Sequence, residues 1–254
     1  MPKTHTQWTE EDNKILLHNY SSMPIADLQQ LLSDKTLISI RHRAVKLGIK
    51  RTCSKTRVGN LEKLLEETPE ALYWIGFMLA DGHFNHSGRF QVNINDRELI
   101  EAFAKFIEYS GSRQDIVHTN PKHKLTYSIT VYNKQVVNQI KQKYNIATVK
   151  TTTPPNLVDL NLPNNLLLSL IIGYIDGDGC IRPEGHCELQ CHKTWLPEYT
   201  YFNKALANNK IAHISNRDQA YLCLSVETMK ALKEFAITHN LPILKRKWDR
   251  VKDV

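Results

Sequence analysis

YWIGFMLADGHF (residues 73–84) and IIGYIDGDGCI (171–181) end almost alike. Each is an apolar run with a glycine inside it, and each closes on Asp-Gly. Of the chain's ten glycines, Gly76, Gly82, Gly173, Gly177 and Gly179 lie in these two segments. Thr68 is placed to cap a helix that starts at Pro69 and is expected to run through Leu79; a second is expected from near Pro163 through Asp176. Both helices are apolar on nearly every side, which predicts burial. Gly76 and Ala80, and likewise Gly173 and Gly177, are four residues apart and share a helix face, where a second backbone can approach closely. A helical glycine costs about 1 kcal/mol, so close packing is the expected return.

Asp81 and Asp178 fall at the C-terminal ends, where the helix dipole disfavours a carboxylate. If the helices pack in parallel, two like charges meet beside two negative helix ends. A divalent cation with oxygen ligands would offset them. A turn after a helix explains either Asp-Gly alone. It does not explain a matching glycine five residues before each aspartate.

WIGFMLADG (74–82) and IIGYIDGDG (171–179) resemble the nine-residue motif of the LAGLIDADG homing endonucleases in their single-chain, two-motif form. The likeness extends over roughly residues 65–250. It implies an α+β fold of two pseudo-symmetric αββαββα repeats packed through the motif helices, expected at 65–155 and 156–254. It also implies metal binding by Asp81 and Asp178, with Ala80 and Gly177 beside them in the metal set. Mg²⁺ is the expected ion, with Mn²⁺ or Ca²⁺ able to substitute in binding. The first acidic position of the motif is Leu79 in one copy and Asp176 in the other; in the family that position varies.

The same order of elements follows each motif. RFQVNIND (89–96) and HCELQCH (186–192) alternate strictly between polar and apolar residues. Shorter strands are expected before them, at 83–87 and 180–184. A helix, a further strand pair (KLTYSITVY and AYLCLSVE) and a last helix come after. The apolar faces would pack on helices and leave one polar sheet face per repeat. A polar strand face is often only solvated, but one rich in Arg, Asn, Gln and His can read base edges in a major groove. The candidates are Arg89, Gln91, Asn93, Asn95, Lys124, Thr126, Ser128 and Thr130 in the first repeat. His186, Glu188, Gln190, His213, Ser215 and Arg217 are those of the second. The two cysteines and two histidines of HCELQCH fall on opposite faces, which argues against a zinc site. Gly76 and Gly173 are the expected crossing points of the motif helices. Gly88 reads as a turn glycine where a larger side chain should be tolerated.

The resemblance also implies a basic residue near each scissile phosphate, and the alignment places Lys150 and Lys247 there, with Lys245 as a rival. An exposed lysine favouring a helix C-terminus is the plainer account of each.

Charge is uneven along the chain. Of its 33 Lys and Arg and 26 Asp and Glu, RHRAVKLGIKRTCSKTR (41–57) holds seven bases and no acid. The stretch before it parses into three short helices: Thr9 caps the first, Pro24 opens the second, and Ser39 caps the third. Leu17, Leu31 and Val45 are expected inward. Arg41, His42, Arg43 and Lys46 are expected outward, followed by Lys50 and Arg51 on a DNA backbone. From W-T-x-E-E-D to R-x-R-A-x-x-L-G, residues 1–50 resemble Myb/SANT-type helix-turn-helix domains, with 51–64 as a basic linker. A protein-interaction module with a basic surface would share that pattern.

No signal peptide or membrane-length apolar run is visible, so a cytoplasmic protein without a membrane partner is expected. Its five cysteines, odd in number, read as free thiols. Together these features imply a monomeric, divalent-metal-dependent endonuclease making a double-strand break in a long asymmetric duplex site. An intron RNA maturase and a non-cleaving DNA-binding regulator on the same fold are the alternatives.

Overall fold

The structure is a computed structural model describing residues 7–21, 23, 25–49, 59–85, 87–111, 114–116, 125–215 and 217–252. Pro24, Lys50, Arg51 and Lys124 lie outside the described residues, as do residues 51–58 of the expected linker. The chain divides into two compact units, Met1–Arg57 and Val58–Val254.

The first unit contains α1 (Glu10–Asn19), α2 (Ile25–Leu31) and α3 (Leu37–Lys46). Thr9 and Asp12 form a reciprocal capping box at the start of α1, satisfying two N–H groups that the helix cannot. Leu16, Tyr20, Leu28, Leu32, Ile40 and Ala44 make a small core. Thr36, not Ser39, caps α3: its hydroxyl accepts from the Ser39 N–H. The Ser39 hydroxyl instead accepts from Trp8 Nε1 at 3.2 Å. Leu17, Leu31 and Val45 are exposed rather than inward, because six residues already fill so small an interior.

The second unit repeats one plan. The first copy is α4 (Pro69–Ala80), β1 (Gly82–Phe84), β2 (Arg89–Ile94), α5 (Arg97–Phe106), β3 (Gln114–Ile116), β4 (Thr126–Tyr132) and α6 (Lys134–Lys143). The second is α7 (Asn164–Asp178), β5 (Cys180–Ile181), β6 (Cys187–His192), α8 (Leu196–Ala205), β7 (His213–Ile214), β8 (Gln219–Leu224) and α9 (Val226–Thr238). One turn of helix, α10 (Lys245–Trp248), follows. The architecture is α+β. Each copy builds a four-stranded antiparallel sheet, in the orders β1-β2-β4-β3 and β5-β6-β8-β7. The first strands are shorter than expected, since each copy turns at once into the following hairpin. Leu61 and Leu64, within the stretch read as linker, are buried in this second unit. Among the described residues no helix is long and apolar enough to cross a membrane.

The motif helices form the spine. Ala71 to Leu79 of α4 are buried, and so is most of α7. A Cβ on Gly76 would land on the Leu170 carbonyl oxygen, and one on Gly173 would land on that of Tyr73. These two contacts are equivalent, because Gly76 and Gly173, and Tyr73 and Leu170, hold the same motif positions in the two repeats. Farther along, a Cβ on Gly177 would overlap that of Ala80. The helices therefore run in parallel, and their C-terminal ends finish side by side.

Gly88 departs from expectation. Its φ is +79°, and an added Cβ would overlap Lys134 Cα. The turn is fixed by the Asn133 N–H donating to the Gly88 carbonyl at 3.0 Å, which draws the start of α6 against it. Gly88→Ala should therefore destabilise the protein by about 2 kcal/mol or more, from a left-handed backbone and a clash together. A denaturant titration that left the variant unchanged would contradict this.

Candidate active site

The parallel crossing brings Asp81, the C-cap of α4, and Asp178, the last residue of α7, to one end of the spine. Both side chains open to solvent but sit where protein displaces much of their water. Burial raises the Asp81 pKa against the opposing charges of Lys150 and Lys247. The Asp178 carboxyl is pushed up to about 6, first by burial and then by the charge of Asp81. Each is thus a carboxylate short of compensating charge.

Two lysines supply part of it. Lys150 lies after α6, beyond the first repeat's last helix, and its Nζ donates to the carbonyls of Met78 (2.8 Å), Leu79 (2.9 Å) and Ala80 (2.5 Å). Lys247, on α10, donates to Ile175 (3.0 Å), Asp176 (2.7 Å), Gly177 (3.1 Å) and Gly179 (2.8 Å). Met78, Leu79 and Ala80 are the motif equivalents of Ile175, Asp176 and Gly177. Each ammonium therefore closes the terminal carbonyls of its own repeat's motif helix, the negative end of the dipole. Burial lowers the Lys150 pKa to about 8, with Asp178 and Asp81 opposing the shift. Lys247 is lowered by burial too. Lys245, two residues before it, is exposed.

The donor set suits a hard cation. Two carboxylates that feel each other's charge and the main-chain carbonyls of Ala80 and Gly177 gather at the helix ends, all of them oxygen donors. The Ala80 and Gly177 carbonyls each accept one ammonium hydrogen bond, which leaves one lone pair apiece.

Asp176, at the varying motif position, is 1% exposed. It accepts from Tyr73 Oη (2.8 Å), the Leu244 N–H (3.0 Å) and Trp248 Nε1 (2.8 Å). Burial raises its pKa to about 6 against these bonds. Three neutral donors make it a structural anchor for the Leu244–Trp248 segment, which carries Lys247. Its counterpart Leu79 is buried among apolar side chains.

The sheet faces hold most of the expected polar residues. Arg89, Gln91 and Asn93 alternate with buried Phe90, Val92 and Ile94, and Asn95 accepts from the Thr126 hydroxyl. Ser128 lies on that face but is covered, 2% exposed, with Gln91 Nε2 donating to its hydroxyl. It supports Gln91 instead of standing free. In the second sheet Glu188 accepts from Arg182 Nε at 2.9 Å, and His186 lies 3.6 Å away. The Arg182 hydrogen bond lowers the Glu188 pKa. Gln190 donates to Gln219, and Arg217 is exposed. Arg182 and Gln219 belong to this face although the sequence pattern did not single them out; Arg182 sits in the turn before β6, outside the alternation.

On the first unit, Arg41, His42 and Lys46 lie along α3 and are all exposed. Arg43 is not free: its Nε donates to Asn13 Oδ1 at 2.8 Å and its guanidinium lies 5.8 Å from the Trp8 ring centroid. Stacking on tryptophan and an internal acceptor hold it in the fold.

The sequence matches no protein-family model and no curated protein. Among solved structures, the homing endonuclease I-WcaI bound to its DNA recognition sequence is similar with a TM-score of 0.53 at 14% identity, over 75% of this chain and 88% of that one. The LAGLIDADG meganuclease I-AabMI bound to uncleaved DNA gives 0.45 at 15%, over 72% and 88%. Full-length DUF199/WhiA from Thermatoga maritima gives 0.44 at 14%, over 76% and 66%. The likeness to I-WcaI places the chain in the fold of that homing endonuclease.

Proposed function

We propose that the protein is a site-specific DNA endonuclease that makes a double-strand break by divalent-metal-dependent phosphodiester hydrolysis. One observation carries this: two motif-helix ends, each with a carboxylate and a lysine clasped on equivalent carbonyls, stand beside one another. Duplicated chemistry about a pseudo-twofold matches a substrate with two antiparallel strands.

Asp81 and Asp178 would hold the cation, with the Ala80 and Gly177 carbonyls next to them. When bound, Mg²⁺ would activate water and stabilise charge on the phosphate and the leaving 3′-oxygen. Lys150 and Lys247 hold two positive charges at fixed points beside the carboxylates, where they can face a backbone phosphate. The polar sheet faces dock on the duplex. The repeats differ in sequence at these faces, so the target would be asymmetric and one chain would suffice. To test this, a randomised duplex library is bound in Ca²⁺ and transferred to Mg²⁺. Paired cuts within an enriched sequence support the reading, whereas enrichment without cutting would leave a DNA-binding regulator in its place.

Arg41, His42 and Lys46 make the first unit a second DNA-binding surface in this proposal. A chain starting at Asn60 should still cut, bind more weakly, and show a shallower fall of log K with log salt, by about 0.9 for each phosphate left without its cation. An unchanged slope and footprint would refute that role.

A further inference from the structure

Each lysine's segment is held in part by the opposite repeat, at Lys247 beside the Asp176 anchor of its own repeat. Trp195, in the short turn Lys193–Trp195 of the second repeat, donates from Nε1 to the carbonyls of Lys150 (3.0 Å) and Thr151 (3.1 Å). Its ring is 1% exposed and stacks on Tyr174 of α7, with centroids 5.2 Å apart. The first repeat's lysine thus hangs from the second repeat's core.

The converse holds at Lys247. Asp96, at the start of α5 in the first repeat, accepts a bidentate pair from Arg246, with Nε to Oδ1 at 2.6 Å and Nη2 to Oδ2 at 2.7 Å. Arg246 immediately precedes Lys247. Asp96 occupies the N-cap position but makes no side-chain cap to its own helix, because its carboxylate is turned to Arg246. Tyr73 of α4 places its hydroxyl between Asp176 and the Pro242 carbonyl (2.9 Å), at the head of the same segment. Paired guanidinium–carboxylate bonds fix direction as well as distance, although this pair is partly solvated.

We propose that the two lysines are positioned crosswise, so that Trp195 acts as a positioning residue for Lys150 and the Asp96–Arg246 pair acts as one for Lys247. The two halves would then be coupled: neither repeat could present its own lysine correctly unless the other is docked. This rests on the proposed endonuclease function for its consequence in catalysis, but the crossed support itself can be read without cleavage.

The test uses the full chain with two mild variants. Trp195→Phe keeps an aromatic ring and removes the Nε1 donor; Asp96→Asn removes the charge of a partly exposed group. The first readout is the rate at which an amine-reactive ester acylates Lys150 and Lys247, resolved by peptide mass. Trp195→Phe should speed labelling of Lys150 severalfold and leave Lys247 unchanged; Asp96→Asn should do the reverse. The second readout is strand-resolved cleavage of a selected site. Each variant should slow one strand by about 10- to 100-fold, as loss of an outer-shell partner does elsewhere, and the two should accumulate nicks in opposite strands. Equal effects on both lysines, or a loosened lysine in the variant's own repeat, would overturn the proposal. If the wild type never cuts, the endonuclease reading fails, and the labelling pattern still decides the coupling.

Discussion

Gly173→Val is expected to cost about 3 kcal/mol or more, the upper end for overpacked interiors. The position meets the Tyr73 carbonyl oxygen and, behind it, the backbone of Phe77. Backbone cannot rotate away as a side-chain tip can, so the helices must separate. For a unit of this size that corresponds to a fall in melting temperature of about 6–12 °C. Gly76→Val should behave alike, since it meets the Leu170 carbonyl in the equivalent contact of the other repeat. Separation also moves Asp81, Asp178 and the lysine-clasped carbonyls, whose positions matter to about 0.5 Å. Cleavage should therefore fall more than binding, measured side by side with melting. A silent Gly173→Val would mean that the helices do not meet through this face.

The spine was legible because its signals are local and doubled. An apolar surface on all sides, small residues four apart and terminal aspartates mark two buried helices that cross through one face; the structure supplies the parallel direction of that crossing. The strand alternation of residues 89–94 and 187–192 was legible for the same reason. Lys150 and Lys247 could be named through the family resemblance, which implies a basic residue shortly after each repeat's last helix, but their clasp on the motif-helix carbonyls could not. It joins residues some seventy positions apart, as at Lys150 and Ala80. The Leu79/Asp176 difference was plain, yet nothing in the motif announces that Asp176 would collect Tyr73, Leu244 and Trp248. Arg43 shows a related limit: a charge pattern marks a cation as outward without revealing that a tryptophan has captured it. Gly88 failed as a permissive turn because its constraint comes from Lys134, brought close only by the β4-to-α6 turn.

The helix ends carry the largest effect on activity. Asp81→Asn and Asp178→Asn keep shape and remove one negative charge each from a pair that shares two lysines. Neither carboxylate belongs to the polar sheet faces, so recognition of the duplex should survive both changes. The cation site should not, and removing a group that stabilises charge in the reaction costs about a hundredfold or more in rate. Strand-resolved cleavage of a selected duplex in Mg²⁺, with binding measured in parallel in Ca²⁺, compares the wild type with these two variants most directly. The expected result is paired cuts by the wild type, loss of double-strand cleavage in both variants, and near-wild-type binding throughout; full double-strand cleavage by either variant would contradict the placing of the reaction at Asp81 and Asp178.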